Sequence, residues 1–171
     1  RKAGLCNVFV TNGYMTRRAL ETIRPYLDAA NVDLKSFSDA SYRKTCKGRL
    51  QPVLDRIAAM KELGIWIEVT TLVVPGENDS DAELKQIADF LAGIDRDIPW
   101  HLSRFHPDFE FQDHQATPIE TLKRAREIGR EAGLRFIYLG NVPEGTNTYC
   151  PECRNLIVER RYMELNKLHL Q

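Results

Sequence analysis

Hydrophobic and polar positions alternate along this chain with two different periods, and together they predict a regular succession of strands and helices. Five short apolar runs have strand character, and between them apolar residues recur three and four positions apart, as in amphipathic helices. The predicted strands are Val8–Thr11, Asn31–Phe37, Trp66–Val74, Trp100–Phe105 and Arg135–Leu139. The predicted helices run from Thr16 to about Leu27, from Leu50 to Leu63, from Ser80 to Gly93 and from Thr117 to Ala132, with a short helical turn over Ser38–Thr45.

Two of these helices begin with a pattern that predicts their first turn. Ser80 is followed three residues later by Glu83, and Thr117 by Glu120, which are capping boxes. Pro118 would then occupy the first helical position, where a missing backbone N–H costs nothing.

The order of elements predicts the fold class. The five strands alternate with helices without a hairpin signal, which favours a parallel sheet with right-handed crossovers. The spacing is typical of a (β/α) barrel or of a doubly wound sheet. No Gly-x-Gly-x-x-Gly or Walker A segment follows a strand, so the nucleotide-binding folds that need them lose support.

Composition removes several classes of function. The chain has 171 residues, 43% hydrophobic and 28% charged, with 24 basic and 24 acidic side chains, so no net field favours nucleic acid or an anionic membrane. No apolar run approaches the roughly 18 residues of a membrane span, and no signal peptide is visible. Cys6 and Cys46 read as reduced thiols, which predicts a cytoplasmic protein. The chain begins without Met, and we expect it to be an internal piece of a longer protein.

The strand at Asn31–Phe37 carries the first candidate chemistry. Side chains two positions apart in a strand point to the same face, so Asp33 and Lys35 should stand side by side. In a sheet covered by helices such charges must be paired, coordinated or used. The alternative is a surface strand with a solvated polar face.

Polar residues also follow the other predicted strands. They are Thr11-Asn12-Gly13, Pro75–Asp79, Arg104–Asp108 and Gly140-Asn141. Parallel strands end at the same edge of a sheet, and binding sites of β/α folds lie there. A single polar loop residue such as His106 indicates little by itself. Polar residues after all five strands together indicate a binding site.

The tail carries a separate motif. Cys150-Pro151-Glu152-Cys153 has the spacing of half a zinc knuckle, in which a tight turn directs two thiolates at one metal ion. Structural zinc needs four ligands, and His169 is a candidate third ligand without supporting spacing. A redox-active dithiol is the alternative reading, although the motif does not open a helix as thioredoxin-type motifs do.

Four segments resemble one known family. Val10-Thr11-Asn12-Gly13, Asp33-Leu34-Lys35, Val73–Ser80 and Ser103-Arg104-Phe105-His106-Pro107 occur in this order in the radical S-adenosylmethionine (SAM) superfamily. The branch resembled is that of the pyruvate formate-lyase (glycyl-radical enzyme) activating enzymes. Asn31–Phe37, Trp100–Pro107 and the Cys-Pro-x-Cys tail are most similar to the AmmeMemoRadiSam-system enzymes.

The resemblance implies a fold and a reaction. Residues 1–145 would form the C-terminal part of a partial (β/α)6 barrel, and residues 146–171 a half zinc knuckle. A [4Fe–4S] cluster would reduce SAM to a 5′-deoxyadenosyl radical that abstracts hydrogen from a substrate, such as a glycine of a partner enzyme. Flavodoxin or ferredoxin would supply the electron.

The resemblance also implies a set of site residues. Asp33 and Lys35 would contact SAM or a monovalent cation near Asp33, and His106 would contact the ribose. Thr11 would lie beside the cation, and Asn12 and Thr70 would belong to the same cosubstrate site. Cys150 and Cys153 would bind zinc.

The chain departs from the family pattern in three ways. It lacks the Cys-x-x-x-Cys-x-x-Cys cluster motif and the Gly-Gly-Glu segment, which in the family lie upstream of what is Arg1 here. It carries Val10 where activating enzymes often carry Asp, and the second knuckle pair would follow Gln171. We therefore expect this chain alone to be inactive. Two alternatives remain: a (β/α)8 aldolase or epimerase that uses Lys35, and a non-enzymatic zinc-bearing scaffold.

Overall fold

The computed structural model describes residues 2–161 and 164–169 and shows a parallel β/α sheet followed by a small antiparallel sheet. Its first five strands are β1 (Val8–Thr11), β2 (Ala29–Asp33), β3 (Trp66–Val73), β4 (Trp100–Arg104) and β5 (Ile137–Gly140). They form one sheet in the order β1-β2-β3-β4-β5, with parallel pairing of β1 to β2, β2 to β3 and β4 to β5. The predicted parallel sheet, with its strands in sequence order, is confirmed.

Helices connect the strands as the apolar periodicity predicts. They are α1 (Arg17–Ile23), α2 (Asp39–Ser41), α3 (Leu50–Glu62), α4 (Asp81–Ile94) and α5 (Ile119–Glu131). A 3₁₀ turn over Arg24–Tyr26 continues α1, and a π-helix over Tyr42–Cys46 continues α2. In the described part of the chain, none of the helices combines the length and the hydropathy that crossing a membrane requires.

The second strand ends earlier than predicted. Asp33 is its last residue, so Lys35 lies just beyond the strand. The reason is local: Leu34 N–H still donates to the Thr70 carbonyl of β3 at 2.9 Å, whereas Lys35 N–H donates to the Tyr42 hydroxyl at 3.1 Å. The Tyr42 side chain therefore takes the place of a backbone acceptor at Lys35, and the strand ends there.

The capping box predicted at Thr117 is wrong. Ser80 does cap α4, because its hydroxyl accepts from Glu83 N–H at 3.3 Å. Pro118, however, occupies the N-cap position of α5 without a side-chain cap. The Thr117 hydroxyl donates to the Val73 carbonyl at 2.6 Å and accepts from Phe105 N–H at 3.0 Å, so a tertiary contact replaces the local one.

The chain divides into two compact units, Arg1–Thr71 and Leu72–Gln171, each with its own buried side chains. In the first unit these include Leu20, Val32, Leu34, Val53, Ile57, Met60, Ile67 and Val69. In the second they include Leu84, Ile87, Leu91, Ile98, Trp100, Leu102, Leu122 and Ala125. Helix α5 packs closely at Gly129, where a Cβ would lie 2.7 Å from Ile137 Cδ1 and 3.0 Å from Trp100 Cζ3.

The tail forms a three-stranded antiparallel sheet that the sequence did not predict. Its strands are β6 (Thr148–Tyr149), β7 (Leu156–Arg161) and β8 (Glu164–Leu168). The Tyr138 hydroxyl of β5 lies 2.9 Å from Thr148 Oγ1, and Arg160 stacks 5.8 Å above the Tyr138 ring. The predicted domain boundary near residue 145 stays a prediction, and Leu170 and Gln171 of the predicted tail lie outside the described residues.

Candidate functional site

A row of polar side chains lies on one face of β2 and β3. Asp33 is paired in register with Thr70, and Thr70 Oγ1 donates to Asn31 Oδ1 at 2.9 Å. Val32 and Val69, which alternate with these residues, are fully buried on the opposite face. The alternation therefore separates an apolar face of the sheet from a polar, partly exposed one.

Asp33 and Lys35 form the predicted pair at the carboxyl end of β2. Lys35 Nζ lies 2.9 Å from Asp33 Oδ2, and the two side chains are 45% and 32% exposed, respectively. The pair is thus neither buried inside a closed sheet nor fully solvated. A half-exposed ion pair is weak, because water screens it, so both groups can exchange their mutual contact for a charged ligand.

Glu68 joins this polar face and was not predicted. It is paired in register with Asn31, and the indole N–H of Trp66 lies 3.4 Å from Glu68 Oε1. The sequence signal was the period of two in β3, where Trp66, Glu68 and Thr70 share one face.

Thr11 and Asn12 shape the turn after β1. Thr11 is paired with Val32, so its side chain belongs to the face opposite Asn31 and Asp33, where its hydroxyl accepts from Gly13 N–H at 3.1 Å. This geometry favours a role in the turn, and the predicted contact of Thr11 with a cation stays a prediction. Asn12 Oδ1 accepts from Tyr14 N–H at 3.0 Å.

A cavity of about 350 Å³ opens beside this turn, where β1 and β2 end. Its lining includes Asn12, Tyr14, Lys35, Tyr42, Lys47 and Gly48. Two predicted site residues, Asn12 and Lys35, therefore meet at one cavity.

Tyr42 supports this arrangement and was also missed. It is 3% exposed, and its hydroxyl accepts the Lys35 N–H. Burial raises the pKa of Tyr42 to about 12, so its phenol stays neutral. The sequence showed only an aromatic residue in a short helical turn, which carries no functional signal.

His106 follows β4 in the second unit and is exposed. The backbone next to it is fixed, because Phe105 N–H donates to Thr117 Oγ1 and Thr117 N–H donates to the Phe105 carbonyl at 3.2 Å. The convergence of His106 with Asp33 and Lys35 stays a prediction.

Cys150 and Cys153 lie on a tight turn between β6 and β7. Cys150 N–H donates to the Asn155 carbonyl at 2.8 Å, and Arg154 N–H donates to the Cys150 carbonyl at 3.0 Å. The backbone N–H groups of Cys153 and Glu152 point at the Cys150 sulfur, and these hydrogen bonds lower the pKa of the thiol. Among the described residues, no three His, Cys, Asp or Glu side chains converge on one point, so no third ligand joins this pair.

His169 does not supply that ligand. Its Nε2 lies 3.6 Å from Glu159 Oε2 on the neighbouring strand. The predicted third-ligand role of His169 therefore has no support in this geometry.

The fold defines a parallel β/α protein, with a charged pair and a cavity at the carboxyl end of β2. The family model of the radical SAM superfamily matches residues 1–91, and the chain belongs to that superfamily. The predicted family is confirmed. Membership implies SAM and a [4Fe–4S] cluster as cofactors.

Comparison with known proteins agrees with this assignment. The chain is 47% identical to an uncharacterized protein of Methanocaldococcus jannaschii, MJ0808, over 94% of its own length. It spans 48% of the length of that relative.

Solved structures share the fold. A domain of pyruvate-formate lyase-activating enzyme from Bacteroides vulgatus matches with a TM-score of 0.72 at 18% identity, over 82% of this chain and 84% of that one. A radical SAM methyltransferase from Sphaerobacter thermophilus matches with a TM-score of 0.62 at 16% identity, over 79% and 40% of the two chains. Identities this low establish the fold only.

Proposed function

We propose that this chain is the part of a radical SAM enzyme that binds the cosubstrate, with Asp33 and Lys35 as its charged contacts. The observation that carries the proposal is the half-exposed pair, 2.9 Å apart, at the end of β2 in a chain of this superfamily. SAM carries a carboxylate, an ammonium and ribose hydroxyls. Lys35 would bind the carboxylate, Asp33 would accept a hydrogen bond from the ammonium or a hydroxyl, and Asn12 and Thr70 would complete the contacts. The contact of His106 with the ribose stays a prediction.

Because the Asp33–Lys35 pair is half exposed, replacing its mutual contact by contacts with SAM requires little free energy. An exposed ion pair contributes about 0–1 kcal/mol, whereas a buried one strongly resists the loss of a partner. Lys35 and Asp33 can therefore turn from each other to the ligand without a large desolvation cost. Thr70, in register with Asp33, and Asn31 would keep the neighbouring polar face hydrogen-bonded.

The cluster would be held elsewhere. A [4Fe–4S] cluster needs three thiolates with one iron left open for SAM, and the part of the chain that the structure describes contains no group of three candidate ligands. The four cysteines are spread over Cys6, Cys46, Cys150 and Cys153. We infer that a segment of the full-length protein outside this sequence supplies the ligands, which the half-length match to MJ0808 supports. When bound, the cluster supplies the electron that cleaves SAM.

The finer activity rests on the resemblance. Hydrogen abstraction from a glycine of a partner enzyme, with flavodoxin or ferredoxin as electron donor, is the activity of the branch that the motifs resemble. The likeness in fold to an activating-enzyme domain is compatible with it but is equally compatible with other reactions of the superfamily. The family match disfavours the aldolase or epimerase alternative.

The tail is proposed as a zinc site. Its donor set fits in part, because Cys150 and Cys153 lie on one tight turn and the Cys150 sulfur accepts backbone N–H bonds. Two further ligands would have to come from outside the described residues. A monovalent cation near Asp33 stays a prediction.

The test is SAM binding by the full-length protein with its reconstituted cluster. Lys35→Ala should weaken SAM binding about ten- to hundredfold, because one charge-assisted contact is lost, and should leave the iron–sulfur absorption spectrum unchanged. Lys85→Ala is the matched control, since Lys85 also pairs with a carboxylate, Asp89, but lies on α4. Equal affinity in Lys35→Ala and the control would refute the site.

A further inference from the structure

The cavity beside Lys35 is larger than a single contact to the cosubstrate requires. Its volume of about 350 Å³ lies at the small end of the range for small-molecule sites, which is roughly 300–1,000 Å³. It opens where β1 and β2 end, which is the edge at which β/α proteins bind ligands. A ligand of this cavity would therefore lie next to the proposed cosubstrate.

Unusual backbone conformations build one wall of the cavity. Tyr42–Cys46 form a π-helix, and Lys47 follows it in the left-handed conformation with φ of 53°. The Tyr14 ring packs closely over Gly48, since a Cβ there would lie 3.2 Å from Tyr14 Cε2. Single π-helical turns and left-handed non-glycine residues concentrate at functional sites, where the surrounding structure maintains them.

The charged side chains that line the cavity are both lysines. Lys35 and Lys47 both line the cavity, and its described lining residues include no Asp or Glu. Lys35 is already paired with Asp33 at 2.9 Å, so Lys47 is the lining charge that the proposal uses. The Lys47 ammonium donates to the Lys44 carbonyl at 2.8 Å, which is a neutral acceptor. Tyr42 adds a buried phenol, and Asn12 adds a side-chain amide.

We propose that this cavity binds the carboxylate or phosphate group of a small-molecule substrate, with Lys47 as its main charged contact. Lys35 would lie between this group and SAM, so the inference rests on the proposed function for its second ligand. Phosphate and carboxylate oxygens are the partners that ammonium groups and neutral hydroxyls favour. The flat ring of Tyr14 over Gly48 would cover the apolar part of the same molecule.

The test is anion titration of the protein, followed by NMR at the amides of Asn12 and Gly48. Inorganic phosphate and acetate serve as separate probes, and the tighter one identifies the preferred group. Saturable shifts are expected in the wild type. Lys47→Met should reduce the affinity about tenfold, Lys47→Arg should retain it, and the surface control Lys85→Met should leave it unchanged.

Two results would overturn the inference. One is the absence of saturable shifts with either anion, and the other is an unchanged affinity in Lys47→Met. SAM affinity of the full-length protein separates this failure from that of the proposed function. Lys47→Met should leave SAM binding intact, and if it weakens SAM binding as Lys35→Ala does, the cavity belongs to the cosubstrate site instead. If the wild type does not bind SAM, the proposed function fails, and anion binding still decides the inference.

Discussion

Replacing the hydroxyl of Thr117 by a methyl group should destabilise the protein far more than the change in size suggests. Thr117 is completely buried, and its hydroxyl joins two backbone groups from distant segments, the Val73 carbonyl at 2.6 Å and Phe105 N–H at 3.0 Å. Thr117→Val keeps the shape but leaves both groups buried without this partner. A buried polar group without a partner costs about 1–3 kcal/mol, so the two together predict a loss of about 2–6 kcal/mol.

Thr117→Ser is the matched control. It keeps the hydroxyl and removes one buried methyl group, which should cost about 1 kcal/mol. Urea unfolding of both variants gives the difference, since the midpoint shifts with stability when the slope is unchanged. If Thr117→Val is no less stable than Thr117→Ser, the two hydrogen bonds do not hold the base of the His106 loop, and the reasoning is refuted.

Three further predictions follow from other contacts. Gly129→Ala should destabilise the protein by about 1–3 kcal/mol in thermal or urea unfolding, because the new Cβ would lie 2.7 Å from Ile137 Cδ1. Gly93→Ala in α4 is the control. It should stabilise the protein by up to about 1 kcal/mol, because nothing lies within 4 Å of the new Cβ. The pKa of Tyr42 is raised from 10.0 to about 12, so between these pH values only the unfolded chain releases the phenol proton. The free energy of unfolding should therefore fall as the pH rises from 10 to about 12, and it should fall less in Tyr42→Phe. Replacing Cys150 and Cys153 by Ser should remove about one zinc per chain from the full-length protein, measured by metal analysis.

Each of these predictions has a contradicting outcome. Equal effects at Gly129 and Gly93 would mean that α5 is not packed against β4 as described. An alkaline stability profile identical in Tyr42→Phe and the wild type would show that burial does not hold the phenol neutral. Unchanged zinc content in the double Ser variant would remove the knuckle assignment.

The sequence predicted the parallel sheet because its signals are local and repeated. Apolar alternation placed β1, β3 and β4 within a residue or two, and Ser80 fixed the start of α4 through a bond three residues away. The same reasoning failed at Thr117, where local pattern and tertiary contact compete for one hydroxyl. The pattern could not show that competition, because Val73 lies 44 positions away in sequence.

The candidate site also has one part that the sequence could predict and one part that it could not. The pairing of Asp33 with Lys35 follows from the period of a strand, so the sequence could predict it. The cavity could not be predicted, since Tyr42 and Lys47 reach it through a π-helix and a left-handed residue that have no sequence signature here. The tail sheet was missed for a related reason, because β7 and β8 are rich in charged residues and lack the apolar alternation of a half-buried strand.

Leu34, which lies between Asp33 and Lys35, explains how a weak ion pair can have a fixed position. Leu34 is fully buried, its N–H donates to the Thr70 carbonyl at 2.9 Å, and its carbonyl accepts from the Thr71 hydroxyl at 3.0 Å. Both backbone groups between Asp33 and Lys35 are therefore fixed to β3, while the side chains remain half exposed. Rigid backbone lowers the entropy that binding would otherwise cost, and exposed side chains lower the desolvation cost. A charged cosubstrate needs both, and a buried, tightly held pair would provide only the first.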